Sequence, residues 1–281
     1  MVSGRAPCRP RGHSVNFFHL STVALVVVLI VVLGGSASVG VLIGRALRAR
    51  PGTRHEPVGV VQGALLGLVG LLLAFGLSMA VDRYQSRRAL VVQESNDIGT
   101  TYLRAQFLAE PERSASLDLL KQYTDATIVV ASVVPDTAAY RGAVAQVESL
   151  QDQLWAVADR TVVADPVGTA PRLYVEVLND TFDTHTERVA SLTNRVPAPV
   201  MVLEVVASAV AIGALALYLT LLGRGITTSL ATLAVLLVIL FVSFDLDRPR
   251  RGFIKVPQTP LEQVRASMDT PPAASGPGLR R

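Results

Sequence analysis

Apolar residues in this chain gather into four long runs. Residues 20–44, 58–81 and 225–244 contain no charged side chain, and residues 200–223 contain one, Glu204. A helix needs roughly 20 apolar residues to cross about 30 Å of hydrocarbon. Backbone polar groups inside lipid must be satisfied within their own segment, so each run is predicted to be a transmembrane helix. The links between runs are short: residues 45–57 join the first pair and Arg224 the second. Short links predict antiparallel neighbours, hence two membrane hairpins. The first run shares features with a secretory leader, because Arg5, Arg9 and Arg11 precede it and Gly34-Gly35-Ser36-Ala37-Ser38 lies within it. Its apolar character continues through Val39, Val41, Leu42 and Ile43, well past the about 7–15 apolar residues of a leader. It is therefore read as a retained helix.

Between the hairpins the pattern changes to amphipathic. Residues 82–107 contain no proline and a single glycine, Gly99, so the second membrane helix is predicted to run on beyond the bilayer. Glu110-Pro111-Glu112 marks a new start, with proline in the first turn and acids at the positive end of the helix dipole. That helix carries Leu117, Leu120, Tyr123 and Ile128 and stops by Pro135. Pro135-Asp136-Thr137 opens the next, whose Val144, Val147, Leu150, Leu154 and Val157 recur at spacings of three and four. Asp165-Pro166-Val167-Gly168 ends it. The last starts near Thr169-Ala170-Pro171, buries Leu173, Val177, Phe182, Val189 and Leu192, and turns Asp180, Asp183 and Glu187 away. The predicted class is all-α: a polytopic membrane protein with two transmembrane hairpins flanking a cytoplasmic helical bundle. Its parts are an N-terminal tail at 1–19, a first hairpin at 20–81, a helical region at 82–199, a second hairpin at 200–246 and a C-terminal tail at 247–281. The Pro- and Gly-rich end predicts disorder from about residue 269.

Composition sharpens this. Half of the 281 residues are hydrophobic and 17% are charged, against about 25% charged in soluble domains. Together with a mean hydropathy of +0.43, this excludes a soluble globular protein. One cysteine, Cys8, excludes an internal disulfide framework and a multi-cysteine zinc site. Residues 82–199 hold 11 Lys/Arg and 16 Asp/Glu, so the net charge of +4 comes from the membrane flanks. Such flanking arginines are topology signals rather than a nucleic-acid surface, and nucleic acid is not expected as a partner. Four crossings place both tails and the central region on one side with 12 flanking Lys/Arg, leaving 5 on the other. This predicts the cytoplasmic (inner) membrane with both termini cytoplasmic. The four arginines in residues 45–57 pull the other way.

Enzyme chemistry has no signature here. There is no phosphate loop, no HExxH and no GxSxG, and the four histidines never fall at helical ligand spacing. Asp183, His185 and Glu187 lie at i, i+2 and i+4, and positions two apart do not share a helix face, so a metal triad is not expected. No enzyme activity, cofactor or metal is assigned. Other residues carry candidate roles. Gly59, Gly63 and Gly67 form a groove on the second apolar run, as Ser36, Gly40 and Gly44 do on the first. The groove serves either packing within the first hairpin or contact between subunits. Leu72, Phe75 and Met79 share a face and form a candidate pore constriction, with Arg83 and Arg87 below it as a candidate anion vestibule. Glu204 either reaches to the interface or faces a water-filled path. Asp245 and Asp247, next to Arg248, Arg250 and Arg251, read as an interfacial ion-pair cluster.

Three blocks carry a resemblance: GALLGLVGLLLAFGLSMAVDRYQSRRALVVQESNDIGTTYLRAQFLAEPER (63–113), LNDTFDTHTERVASLTNRVP (178–197) and FDLDRPRRGFIKV (244–256). In this order they resemble the bestrophin-like family of bacterial membrane proteins. The resemblance implies two membrane hairpins around a helical cytoplasmic region. Through the family's distant similarity to bestrophins, it also implies a homo-oligomer in the lipid bilayer passing small anions through an apolar neck. No acidic cluster matching a bestrophin calcium clasp is present. A second reading is a non-conducting membrane scaffold or sensor whose acidic helical region binds a partner.

Overall fold

The computed structural model describes residues 21–48, 56–135, 137–223, 226–248 and 252–270. Cys8, His13, His19, His55, Arg224, Arg250, Arg251, and the parts of the predicted tails at 1–20 and 271–281, lie outside the described residues. Eight helices are described: α1 (Thr22–Arg48), α2 (Glu56–Ala105), α3 (Glu112–Ser132), α4 (Ala138–Ala164), α5 (Thr169–Thr193), α6 (Ala198–Leu221), α7 (Ile226–Leu246) and α8 (Thr259–Ser267). Among the described residues there is no strand.

The boundaries follow local chemistry. Glu112 supplies an acid to the first turn of α3. The Thr137 side chain caps α4 by accepting the Tyr140 N–H at 3.1 Å. Gly223, at φ +70, ends α6 in the left-handed region that favours glycine. The apolar run 58–81 continues without a break into the more polar stretch that follows it, because α2 is a single helix of 50 residues. Among the described residues, four helices (α1, α2, α6 and α7) are long and apolar enough to cross a membrane.

The chain forms two compact units. The membrane unit comprises residues up to Met79 with Val196–Phe244. Its core is built from Leu25, Leu29 and Leu33 of α1, Val69 and Leu73 of α2, Ile212 and Leu215 of α6, and Leu236 and Leu240 of α7. The tightest helix pair is α1 with α6, from opposite predicted hairpins. A Cβ on Gly40 would lie 2.2 Å from the Gly213 carbonyl oxygen, and one on Gly44 would lie 2.7 Å from the Thr220 Cβ. The Ser36 hydroxyl donates to the Ala209 carbonyl at 2.5 Å. The small-residue groove of α1 therefore receives α6, where adjacency along the chain predicts α2.

The polar unit comprises Ala80–Arg195 with the residues from Asp245 onward. Ile98, Leu120, Tyr123, Val130, Leu154, Tyr174 and Leu178 are its innermost residues. The predicted α4 stripe is buried at Val147, Leu150, Leu154 and Val157, whereas Leu173 of α5 is exposed, and Tyr174 takes the inward place. Residues 252–270 are not a tail. Helix α8 packs on α3, and its Leu261 and the Met268 that caps its C-terminal end are buried in this core. Asp269, just after it, accepts from Lys121 at 2.9 Å and from Arg265 at 2.6 Å. These bonds hold its carboxyl below the ordinary range. A depressed carboxyl stabilises above its unfolded value and loses that contribution as pH falls, so the tether of α8 weakens toward acid.

Candidate functional site

Helix α2 carries the predicted channel residues. Within the membrane unit its inward face is Gln62, Val69, Leu73 and Gly76. At 100° per residue the opposite face divides into two flanks. One is small, with Gly63, Gly67, Gly70 and Ala74, and the other bulky, with Val61, Leu68, Leu71 and Phe75. Gly63, Gly67 and Gly70 meet nothing within 4 Å even if given a Cβ, so they do not pack the first hairpin. Gly59 differs, because a Cβ there would meet the Tyr218 ring at 2.8–3.0 Å. Phe75 is 60% exposed. Leu72 and Met79 are half-buried at the edge of the bulky flank, and Met79 packs against the membrane core.

The two arginines of the predicted vestibule part company. Arg83 is half-buried and donates to the Asn194 side-chain oxygen, a neutral partner. Arg87 is buried, and each of its three guanidinium nitrogens donates a hydrogen bond. Its guanidinium donates to the carbonyls of Ser191 at 3.2 Å, Asn194 at 2.8 Å and Leu246 at 3.2 Å, and it pairs with Asp247 at 3.7 Å. A planar fork with its donors committed in this way is a clamp on helix ends, not an anion site. The expectation for Arg87 is therefore corrected: it joins α2 to the C-terminal ends of α5 and α7. Asp247 supplies the ion pair. Asp245 acts differently, accepting the backbone N–H groups of Phe253 and Ile254, both at 2.9 Å. Glycine at 252 is required here, since a Cβ would fall 2.6 Å from the Asp245 carbonyl oxygen.

Glu204 neither reaches to the interface nor lines an open path. It is 4% exposed, packed against Gly76 of α2.

A second buried charged cluster, around Glu94, was not legible as a site. Glu94 of α2 is fully buried. Its Oε1 lies 2.7 Å from His185 Nδ1, and its Oε2 pairs with the Arg188 Nε. Arg188 also donates to the Thr127 carbonyl at 3.4 Å, and Tyr123 stacks edge-on to His185 at 5.9 Å between ring centroids. His185 is thus a buried hydrogen-bond partner of Glu94 in the core of the unit. Its ligand is 91 residues away on another helix. One signal does exist in the pattern: Leu73, Ala80, Arg87, Glu94 and Thr101 are all buried and recur every seven residues on α2. Charges at inward positions of a heptad demand buried partners. Among the described residues, no group of three or more His, Cys, Asp or Glu is placed to hold a metal ion.

Comparison with known proteins agrees with this architecture. A search of curated protein sequences finds no match. The crystal structure of a bacterial bestrophin homolog from Klebsiella pneumoniae, a tyrosine-to-alanine variant, is similar with a TM-score of 0.65. The match spans 85% of this chain and 97% of that one at 12% identity, a level that speaks for the fold. The family model of the bestrophin-like domain matches residues 22–261, nearly the whole described chain. This all-helical membrane protein belongs to the bestrophin-like family.

Proposed function

We propose that the protein is a homo-oligomeric, anion-conducting channel of the cytoplasmic membrane. The observation that carries this reading is the open face of α2. A membrane helix whose outward face divides into a glycine flank and a bulky apolar flank suits two neighbours at once. The glycine flank, Gly63, Gly67 and Gly70, lets the helix of a second subunit approach closely. The bulky flank, with Phe75 at its centre and Leu72 and Met79 at its edge, turns toward the axis and gates by dewetting. Arg83, one turn past Met79, supplies the positive charge that favours anions, and Arg87 holds the helix ends in place.

Chloride efflux from liposomes tests conduction. Vesicles bearing the protein should release chloride faster than empty ones, and Phe75→Ala should release it faster still. Equal rates in empty and loaded vesicles remove the channel. Assembly is tested separately by the mass of the detergent-solubilised protein. Gly67→Leu introduces a side chain that meets nothing in its own chain, so the monomer should fold normally while the ring falls apart. A wild-type monomer would favour the non-conducting scaffold.

The proposed orientation places the central helical region and both termini in the cytoplasm, on the strength of the flanking Lys/Arg balance. Reporter fusions after Gln106 and Val264 should give cytoplasmic signals, and one after Gly52 an external signal. An external signal after Gln106 reverses the assignment.

A further inference from the structure

One carboxyl group is shut inside the apolar core of the membrane unit. Glu204 lies six residues into α6, about 9 Å along the helix. It is 4% exposed, and its Oε1 is buried without a hydrogen-bond partner. The carboxyl fills the space of the side chain that position 76 lacks. A Cβ on Gly76 would sit 1.5 Å from Oε1 and 2.5 Å from Cδ. One turn along the same face of α6, Ser208 is fully buried and its hydroxyl also has no partner. The rest of that stripe is Met201, Ala211, Ile212 and Leu215.

Among the described residues of this unit, the buried side chains of the neighbouring elements offer no counter-charge. Helix α1 contributes Leu25, Leu29 and Leu33 to the buried set, and α2 adds Gln62, Val69 and Leu73. Helix α7 adds Leu236, Leu240, Ser243 and Phe244. Among the described residues, Glu204 is the only titratable side chain buried in this unit, and no basic group ion-pairs with it. A carboxylate stripped of water and left unpaired in hydrocarbon costs on the order of 3 kcal/mol, and such groups are paired or neutralised. With no ion partner, the remaining neutralising ligand is a proton.

We propose that Glu204 is a proton-binding site of the membrane unit, seated as the carboxylic acid against Gly76 and leaving that seat when the proton is lost. The ligand is a proton from the adjoining aqueous phase. Its release puts a charge where α6 meets α2, so the two helices part there until water reaches the carboxylate. The site stands whether or not the pore conducts.

Dicyclohexylcarbodiimide, a lipid-soluble reagent for protonated carboxyls, tests this on the full chain in liposomes. The acid O–H adds across one C=N bond: the carboxyl oxygen bonds to the central carbon and the proton goes to nitrogen. The acyl group then migrates to nitrogen to give a stable N-acylurea, with no atom lost. At about pH 7 a solvated glutamate, with a pKa near 4.3, is more than about 99% ionised and resists the reagent. Peptide mapping should nonetheless show adduct at Glu204, diminishing in alkaline buffer and absent in Glu204→Gln. A water-soluble carbodiimide should leave Glu204 unlabelled in the wild type. It should label Glu204 in Gly76→Ala, whose added methyl group displaces the carboxyl. Absence of adduct from dicyclohexylcarbodiimide, or equal labelling by the water-soluble reagent in the wild type, would overturn the proposal. So would protection by sodium ions at constant pH, which would mark a metal-cation site, or wild-type behaviour of Gly76→Ala. Failure of chloride efflux with the labelling intact would count against the channel alone.

Discussion

Replacing Arg188 with methionine is expected to destabilise the polar unit by about 3–5 kcal/mol. Arg188 neutralises Glu94, which is fully buried and otherwise has only His185 at 2.7 Å. Removing one member of a buried pair leaves the other charge in a site that water cannot reach, and that penalty far exceeds what a surface ion pair contributes. Chemical unfolding followed by the tertiary circular dichroism of the solubilised protein measures the loss. A cycle with Glu94→Gln separates charge from packing. The double variant buries no uncompensated carboxylate, so it should recover much of the loss seen in Arg188→Met. Strictly additive losses, or a single-variant cost below about 1 kcal/mol, would mean that the pair is solvated and that the unit does not depend on it.

Gly40→Leu should be the most damaging glycine substitution in the membrane unit. A Cβ there would meet the Gly213 carbonyl oxygen at 2.2 Å. That atom belongs to the backbone of α6 and cannot rotate away, so the helices must separate along their tightest contact. Overpacking commonly costs about 1–3 kcal/mol, and a backbone obstacle places this case at or above the upper end. The internal control is Gly63→Leu, with the same side-chain change in another transmembrane glycine groove. Nothing lies within 4 Å of a Cβ at Gly63. Titration with a denaturing detergent should show Gly40→Leu unfolding much earlier than wild type, with monomeric Gly63→Leu matching wild type. Equal sensitivity of the two variants would contradict the close approach of α1 and α6. Any effect of Gly63→Leu confined to assembled mass would support its place in the subunit contact.

This contrast shows where sequence reading stops. Ser36, Gly40 and Gly44 on one helix and Gly59, Gly63 and Gly67 on another are the same motif to the eye. The structure uses the first against α6 and leaves most of the second uncovered, because a glycine spacing states that a close approach is possible and not which helix makes it. Arg83 and Arg87 behave alike in sequence too, four residues apart on one face. Their fates differ because the carbonyls that capture Arg87 come from the ends of α5 and α7, more than 100 residues away.

Features governed by neighbouring residues were legible from the chain alone. The crossing of the bilayer depends on the length and apolarity of one run. The continuation of α2 follows from the absence of proline between residues 82 and 107, and the ends of α3, α4 and α5 follow from Pro135, Pro166 and Pro197. The all-helical class and the family resemblance rest on the same local content. Tertiary structure alone decided that α1 pairs with α6, that α8 belongs to the core, that Arg87 is a clamp, and that Glu94 meets His185 and Arg188. It also decided that Glu204 sits against Gly76. Each of these joins groups far apart in the chain, and its energy comes from excluding water between them. The chain determines where helices begin and end because those costs are local to the backbone. It leaves open which polar groups share a buried space, because that depends on which surfaces close over them.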